Sequence, residues 1–341
     1  MVLSFREGDY LLKEYEAGDE TAILSSFNRI FGALFRGFEP RSLEYWRWQY
    51  LANPSGRHLV SAFTPDGTVV AHHGFILQRL RTGSGLRRCG QVVDTMVDPA
   101  HRRGLQRTSL SALLSNRFVA HFGGEAADKV AFFWGAPIRV AMRVGESQGS
   151  YEVVRTQQKL VAPLAASAGD SGSGDVAIEP IATFGDEFDA LFERLAPGYD
   201  VIAVRDAAQL NWRYRDRPGG DYRIAAARRG GLLVGYAVFS AGHFDGRDNQ
   251  GRICDLFVGL QDEDARRALL AWLHREGAAA GVEQLAAILP DSCPEWHLLQ
   301  EHGFRARPTG YPIVSWTCAR RFDPEWLRWN WFYSLGDTDL V

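Results

Sequence analysis

A short basic loop at 101–107 (HRRGLQR) is the part of the sequence best suited to chemistry. It contains one glycine and stands between a β-branched apolar run at 92–97 and a segment at 110–118 whose apolar residues have helical spacing. These patterns predict a strand, a tight loop and a helix. The first turn of a helix leaves backbone amides unpaired and carries the positive end of the helix dipole. Arginine side chains in front of it would complete a cradle for an anion such as a pyrophosphate.

The candidate anion-binding residues all belong to this loop. They are Arg102, Arg103, Gly104, Leu105, Gln106 and Arg107. Three guanidinium groups supply positive charge, and the glycine lets a phosphate approach the backbone closely. The alternative interpretation is an ordinary basic loop between a strand and a helix, with no ligand.

The composition is that of a globular protein. The chain has 341 residues, of which 46% are hydrophobic and 23% are charged, and this length suffices for two domains. A formal net charge of −3 gives no general attraction to nucleic acid or to anionic membranes. We therefore expect neither as a partner, and we expect any anion site to be local.

Cysteine usage and hydropathy indicate the compartment. Four cysteines are scattered without a C-x-x-C pair or a nearby histidine cluster, so the sequence predicts no disulfide framework and no metal site. The N-terminal segment carries charges and no apolar core, and there is no window of 18 or more apolar residues. These features predict a cytoplasmic protein without a signal peptide or a membrane-spanning segment.

Two stretches of the sequence resemble each other at a constant offset of 164 residues, as from Trp48 to Trp212. The other pairs that keep this offset include Arg41/Arg205, Tyr50/Tyr214, Pro54/Pro218, Val60/Ile224 and Gly67/Gly231. Tryptophans and prolines in register without a gap rarely arise by chance, so we interpret the match as an internal duplication. The order of predicted strands and helices is the same in both halves.

The duplication and the composition together define the predicted domains. A stretch of small residues at 162–177 cannot bury enough apolar surface to fold and is predicted to be a flexible linker. The units on either side span 1–161 and 178–320, and an aromatic C-terminal tail spans 321–341. Strands and helices are mixed in each unit, which predicts an α/β (α+β) three-layer fold with a mixed, mostly antiparallel sheet flanked by helices.

The loop that should bind an anion differs between the halves. Val258 corresponds to Val97, but it is followed by GLQDEDARR instead of DPAHRRGLQR. Asp262, Glu263 and Asp264 would repel an anionic ligand. We therefore expect a single cofactor site, in the first unit.

The first unit resembles the GNAT superfamily of acyl-CoA-dependent N-acyltransferases, and its pairing with a second unit is similar to the enhanced-intracellular-survival type. The family's strand ends in a V-x-P step, here 97–99, followed by R/Q-x-x-G-x-G/A. His101 stands at the R/Q position, Gly104 at the first glycine and Gln106 at the last position, so this loop departs from the family pattern. The resemblance implies acetyl-CoA as acyl donor and no metal.

The resemblance also implies how the donor is held. Backbone amides of Met96 and Val97 would bind the pantetheine arm and the thioester carbonyl, and the basic loop would bind the pyrophosphate. In the enhanced-intracellular-survival type the C-terminus returns to the first active site, which makes the carboxylate of Val341 a candidate base. Five aromatic residues at 326–333 predict that the tail docks. A purely structural tail is the alternative.

Acyl transfer from a thioester to an amine requires a proton acceptor. Besides Val341, the candidates near the predicted strand are Asp94 and His73. His72 is adjacent to His73 and faces the other side of its strand, so only one of the two can enter a cleft. A structural role is the alternative for each of these residues.

The leaving thiolate must also be protonated. The family often uses a tyrosine four residues before a glycine-phenylalanine step, and the corresponding positions here are Gly145 and Leu299. Neither can donate a proton. Tyr151 lies close to the first of these positions, and an ordinary strand aromatic is the alternative interpretation for it.

These observations favour an acyl-CoA-dependent N-acyltransferase that acts on a primary amine of a small molecule or sugar. One alternative is an aminoacyl or long-acyl transferase of the Fem type, which needs no pyrophosphate loop. Another is a non-catalytic binding module that keeps the fold. Homo-oligomerisation is left open by the sequence.

Overall fold

The computed structural model describes residues 3–102, 109–164 and 175–341. The helices are α1 (Glu20–Leu34), α2 (Leu43–Tyr50), α3 (Leu110–Phe122), α4 (Arg139–Gln148), α5 (Glu187–Leu195), α6 (Ala207–Tyr214), α7 (Glu263–Ala279), α8 (Pro294–Glu301) and α9 (Pro324–Asn330). The strands are β1 (Ser4–Glu7), β2 (Tyr10–Glu14), β3 (Arg57–Phe63), β4 (Val69–Thr82), β5 (Gly85–Val97), β6 (Val130–Gly135), β7 (Glu152–Pro163), β8 (Val176–Pro180), β9 (Val201–Ala203), β10 (Arg223–Arg229), β11 (Leu232–Phe244), β12 (Arg247–Val258), β13 (Gln284–Ala287), β14 (Arg305–Thr317) and β15 (Trp331–Phe332).

The chain divides into two compact units that are not separated by a single cut. Unit 1 comprises Met1–Arg79, Leu86–Val154 and Ile313–Pro324, and unit 2 comprises Leu80–Gly85, Arg155–Pro312 and Glu325–Val341. The boundaries expected at 161, 177 and 320 do not coincide with this division, which falls within β7 after Val154 and within β14 after Pro312. Residues 165–174 of the expected linker lie outside the described residues.

Unit 1 contains a mostly antiparallel sheet in the order β1-β2-β3-β4-β5-β6-β14. β5 and β6 form its parallel pair, and α3 makes the crossover that such a pair requires. The core under α3 is aromatic. Phe118 of α3 stacks on Phe75 of β4 with ring centroids 3.7 Å apart and meets Phe133 of β6 edge-on.

Unit 2 repeats this plan with its own strands. Its sheet runs in the order β8-β10-β11-β12-β13-β7, and the parallel pair, β12 and β13, is connected through α7. The predicted fold class, a mixed and mostly antiparallel sheet flanked by helices, is confirmed. No helix within the described ranges is long and apolar enough to cross a membrane.

The matching helices of the two units begin in the same way. α2 and α6 are both eight residues long. The side chain of Ser42 caps α2 by accepting from the Tyr45 amide, and that of Asp206 caps α6 by accepting from the Gln209 amide. A capping side chain satisfies one of the amides that the first helical turn leaves unpaired, which explains why the sequence match begins at this point.

The C-terminal tail docks within unit 2 through two buried arginines. Arg205 donates to the Asp337 carboxylate at 2.6 Å. Arg213 donates to the backbone oxygens of Gly336, Thr338 and Val341 at 2.7, 3.0 and 2.7 Å. A Cβ on Gly336 would lie 2.8 Å from the Cys254 carbonyl oxygen, so this close approach requires glycine. Three of the five tail aromatics are buried, namely Trp331, Phe332 and Tyr333.

We predict that deleting residues 338–341 destabilises unit 2. Arg213 would lose two acceptors while staying buried, which should lower the free energy of unfolding by about 2–4 kcal/mol. Chemical denaturation of the full chain and of the truncated chain measures the difference.

The matched control is the same deletion in an Arg213→Met background. Since the methionine makes no hydrogen bond to the tail, the deletion should cost markedly less there than in the wild type. Equal costs in both backgrounds would show that Arg213 does not hold the tail.

Candidate active site

A cavity of about 580 Å³ opens in unit 1 where two parallel strands part. The pairing of β5 with β6 runs from Arg88↔Val130 to Gln91↔Trp134, whereas β5 continues to Val97. The cavity is lined by the last residues of β5 and by α1, α3, α4 and the end of β14. Its volume falls in the range of small-molecule sites.

This cavity is lined by three of the predicted donor-binding residues, two on β5 and one on the loop. Met96 is buried, Val97 is half-buried and Arg102 is exposed, with its Nε donating to the Val97 carbonyl at 3.0 Å. The loop residues Arg103, Gly104, Leu105, Gln106 and Arg107 lie outside the described residues. His101, at the R/Q position, also lines the cavity, and its Nδ1 lies 2.8 Å from the Tyr10 hydroxyl.

The N-termini of α3 and α7 differ in charge. Ser109 caps α3 with a neutral hydroxyl that accepts from the Ala112 amide, and it lines the cavity. Asp262 caps α7 with a carboxylate, and Arg229 donates to both carboxylate oxygens at 2.8 Å. Those hydrogen bonds lower the pKa of Asp262. The anion expected at such a helix end is therefore supplied by the protein itself at α7, whereas the positive end of α3 faces the cavity.

Asp94 adopts a strained backbone conformation within β5. Its φ is +53°, in the left-handed region that few residues other than glycine adopt. Its carboxylate accepts hydrogen bonds from Arg41, from the Tyr50 hydroxyl and, at 3.2 Å, from Gln49. Burial alone would lower the pKa of Arg41, but the charge of Asp94, its hydrogen bond and the neighbouring tyrosines together outweigh burial and raise that pKa. These contacts agree with the structural alternative for Asp94, and its role as a base stays a prediction.

His72 and His73 face opposite sides of β4, as the sequence predicts for adjacent strand residues. His72 Nδ1 lies 2.8 Å from Ser61 Oγ, whereas His73 lines the cavity. Burial lowers the pKa of His72 to about 4 and that of His73 to about 3, so both imidazoles are neutral at pH 7. Within the described part of the chain, His73 Nε2 is buried without a hydrogen-bond partner. It can accept a hydrogen bond from a ligand.

Tyr151 fills the place of the missing side chain at Gly145. A Cβ on Gly145 would overlap the Tyr151 ring, and both residues line the cavity. Burial raises the pKa of Tyr151, which keeps its phenol protonated. The sequence indicates only that Tyr151 lies near the position at which the family has its tyrosine acid. A glycine inside a helix, six residues before a tyrosine, is the sequence signal that could have linked Gly145 to Tyr151.

Sequence reasoning missed the contribution of β14. Ser315 pairs with Trp134 of β6 and lines the cavity. Its Oγ is buried and has no hydrogen-bond partner among residues 3–102, 109–164 and 175–341. Together with His73 it gives the apolar cavity two polar atoms that a ligand could satisfy. No local pattern in the sequence marks Ser315, because it lies far along the chain from the other lining residues.

Unit 2 has an open cleft at the corresponding place, where β12 ends and α7 begins. This cleft has a volume of about 800 Å³ and is lined in part by Asp262, Glu263 and Asp264. A cavity of about 20 Å³ lies among β12, α7 and α8, lined in part by Asp255, Arg266, Glu295 and Ser334. This volume is close to that of a single water molecule. Val341 also lies in unit 2, buried and held by Arg213. These contacts agree with the structural-tail alternative, and a role for Val341 as a base in unit 1 stays a prediction.

Comparison with known proteins bears on the fold. No family model and no curated protein matches this chain. A conserved protein of Enterococcus faecalis V583, named "Probable N-Acyltransferase", superposes with a TM-score of 0.67 at 11% identity, covering 93% of this chain and 74% of its own. A GCN5-related N-acetyltransferase from Kribbella flavida gives a TM-score of 0.61 at 18% identity, covering 92% and 73%. The chain has the fold of the GNAT acetyltransferases.

A further structural neighbour carries a bound acyl donor. Saccharomyces cerevisiae N-myristoyltransferase with bound myristoyl-CoA superposes with a TM-score of 0.56 at 10% identity, covering 92% of this chain and 80% of its own. At these identities the likeness concerns the fold alone. The described residues contain no cluster of three or more His, Cys, Asp or Glu side chains that could bind a metal ion.

We predict that acid destabilises unit 1 through its buried histidines. An unfolded histidine takes up a proton near pH 6.5, whereas in the folded chain burial lowers the pKa of His72 to about 4 and of His73 to about 3. Between these values the unfolded state binds more protons. The free energy of unfolding should therefore fall as the pH falls below 6.5, by up to about 1.4 kcal/mol per pH unit for each histidine.

Chemical denaturation at pH 7 and pH 5 measures this loss. His73→Gln should weaken the pH dependence, because it removes one of the three histidines of unit 1 whose pKa burial lowers, the others being His58 and His72. The control is His243→Gln in unit 2, whose imidazole is 64% exposed. If wild type and His73→Gln lose the same stability on acidification, His73 is not buried in its neutral form.

Proposed function

We propose that unit 1 is an acyl-CoA-dependent N-acyltransferase. The observation that carries this proposal is the cavity at the parting of β5 and β6, which joins the strand end at Met96 and Val97 to the N-terminus of α3 and contains the neutral His73. Neighbours of the same fold are N-acetyltransferases, and one binds myristoyl-CoA. They support an acyl-CoA donor, of which acetyl-CoA is the simplest, and we propose a small-molecule amine as the acceptor.

The described residues fit such a donor at both ends. Arg102 and the neutrally capped N-terminus of α3 offer positive charge to the phosphates, with the loop at 103–107 as the proposed remainder of that subsite. Backbone amides of Met96 and Val97 are proposed to bind the thioester end. The strained Asp94 fixes the direction of the strand immediately before them.

The acyl donor supplies a carbonyl carbon that a neutral amine attacks, forming a C–N bond as the C–S bond breaks and its electron pair leaves with sulfur. His73 Nε2 is proposed to accept the amine proton. Tyr151, kept protonated by burial, is proposed to protonate the departing thiolate. Backbone amides aimed at the carbonyl oxygen would stabilise the charge that develops there.

We further propose that unit 2 is a duplicated copy that has lost the donor site. Support comes from the matching cap positions and lengths of α2 and α6. It also comes from the arginine-aspartate pair of each unit, Arg41 with Asp94 and Arg205 with Asp255. The acidic cap of α7 and the carboxylates of Glu263 and Asp264 in the cleft beside it support the loss of donor binding.

The function is tested by release of free thiol from acyl-CoA in the presence of a panel of amines. We predict release that depends on both substrates. His73→Gln should lower kcat by about 10²-fold or more, while the dissociation constant of the donor stays within about threefold of wild type. An equal loss of donor affinity would assign His73 to binding instead. Donor binding without thiol release for any amine would favour the non-catalytic module.

We predict that donor binding depends on positive charge at Arg102. Arg102→Glu should weaken acyl-CoA binding about tenfold or more at low salt, because the carboxylate repels the phosphates, and high salt should narrow the difference. Isothermal titration calorimetry measures both effects.

The matched control for this substitution is Arg267→Glu on α7. It changes the net charge equally, and Arg267 is an exposed residue paired with Glu263 in unit 2. Arg266 is unsuitable because it is buried and donates to the Leu260 carbonyl. Equal losses at Arg102 and Arg267 would contradict a donor site confined to unit 1.

A further inference from the structure

One end of the unit 1 cavity is built almost entirely from aliphatic and aromatic side chains. The C-terminal half of α1 and the N-terminal end of α4 supply Ile30, Phe31, Leu34, Phe35, Ile138 and Val140 to the lining. This end is continuous with the part of the cavity that contains Met96 and His73. A ligand that reacts beside His73 can therefore extend along it.

Several of these apolar side chains are exposed. Leu34 and Phe35 of the α1 end are 49% and 43% exposed, and Ile138 and Val140 of the α4 end are 57% and 69% exposed. The described residues include eight large hydrophobic side chains with such exposure, and half of them line this one cavity. Contiguous exposed apolar surface is costly in water and marks a binding site.

The aromatic residues of α1 connect the protein core to the cavity mouth. Phe27, Phe31 and Phe35 follow each other at the i, i+4 spacing that places residues on one helix face. The ring centroids of Phe27 and Phe31 are 4.3 Å apart, and those of Phe31 and Phe35 are 5.6 Å apart. Exposure rises from 5% at Phe27 to 43% at Phe35. The row gives an apolar track from the interior to the surface.

The charges around the cavity argue for an uncharged occupant of this track. Among the described lining residues, the titratable side chains are His73, His101, Tyr151 and Arg102. Burying an ammonium group without an anionic partner is costly, whereas an aliphatic chain gains free energy from burial. Arg102 lines the cavity beside the N-terminus of α3, so the charged part and the apolar part of a donor would contact different elements of the lining.

From these features we infer that the track between α1 and α4 binds the aliphatic chain of a medium- or long-chain acyl donor. The inference rests on the proposed function and specifies its donor. A two-carbon acyl group would leave the track in contact with water, since a cavity of about 580 Å³ exceeds what the reacting end alone requires. Specificity for the donor then lies with Leu34, Phe35, Ile138 and Val140, and the amine approaches only the end beside His73.

Binding of a donor series by the wild-type chain is the first test. Isothermal titration calorimetry with CoA, acetyl-CoA, octanoyl-CoA and dodecanoyl-CoA should give affinities that rise with chain length. Dodecanoyl-CoA is expected to bind at least about thirtyfold more tightly than acetyl-CoA, since each buried methylene adds to the affinity. Equal affinities for all thioesters would overturn the long-chain inference and leave the proposed function standing. Failure of every CoA compound to bind would overturn both.

Substitution of exposed residues tests where the aliphatic chain of the donor binds. The double variant Ile138→Gln and Val140→Gln should lower the ratio of dodecanoyl-CoA to acetyl-CoA affinity at least about fivefold, because amide groups replace apolar contacts. Both positions are exposed, so folding should be preserved, and circular dichroism checks this. The control is Leu86→Gln with Val153→Gln, two exposed residues of unit 1 that do not line the cavity, and it should leave the ratio unchanged.

Turnover measurements distinguish whether the aliphatic chain in the track belongs to the donor or to the acceptor. With a fixed small amine, kcat/KM should rise from acetyl-CoA to dodecanoyl-CoA, and the α4 double variant should remove most of that rise. If instead kcat/KM with acetyl-CoA rises along a series of alkylamines, and the same double variant removes that rise, the track binds the acceptor. That result would overturn the inference.

Discussion

An arginine-aspartate pair, partly buried in unit 1 and buried in unit 2, is the interaction on which the cleft of each unit depends. In unit 1 the Asp94 carboxylate binds Arg41 and two side chains of α2, and in unit 2 the Asp255 carboxylate binds Arg205 at 3.1 Å. A buried carboxylate is tolerated only with such partners, so the strand that carries it is tied to the segment that carries the arginine. In unit 1 the paired Asp94 also has a positive φ, and the residues that follow it line the cavity.

In unit 2, for which no donor binding is proposed, the arginine of this pair has a further partner. Arg205 of unit 2 also binds Asp337, and Arg213 stands where unit 1 has Gln49. Gln49 donates a hydrogen bond to the Asp94 carboxylate, whereas Arg213 donates to three backbone oxygens of the tail. The tail also reaches the small cavity of about 20 Å³ in unit 2, which Ser334 helps to line. The arginines of unit 2 thus bind the chain itself.

The sequence predicted the features that depend on local pattern and charge. The strand-loop-helix order around residue 100, the opposite facing of His72 and His73, and the different charges after Val97 and Val258 follow from spacing and residue type. The unit boundaries could not be predicted, because β14 returns residues 313–324 to unit 1 from far along the chain. For the same reason no sequence pattern indicates that Ser315 lines the cavity.

Unit 1 retains features that would be costly in a purely structural domain. His73 Nε2 and Ser315 Oγ are buried without partners in the described part of the chain, and four large apolar side chains beside the same cavity face water. Each lowers stability, and a ligand with a hydrogen-bond donor at one end and an aliphatic portion at the other would offset both. Unit 2, by contrast, lines its cleft at the end of β12 with Asp262, Glu263 and Asp264. The gathering of unpaired polar atoms and exposed apolar side chains at one cavity, more than the shared fold, is the physical reason to look for chemistry in unit 1.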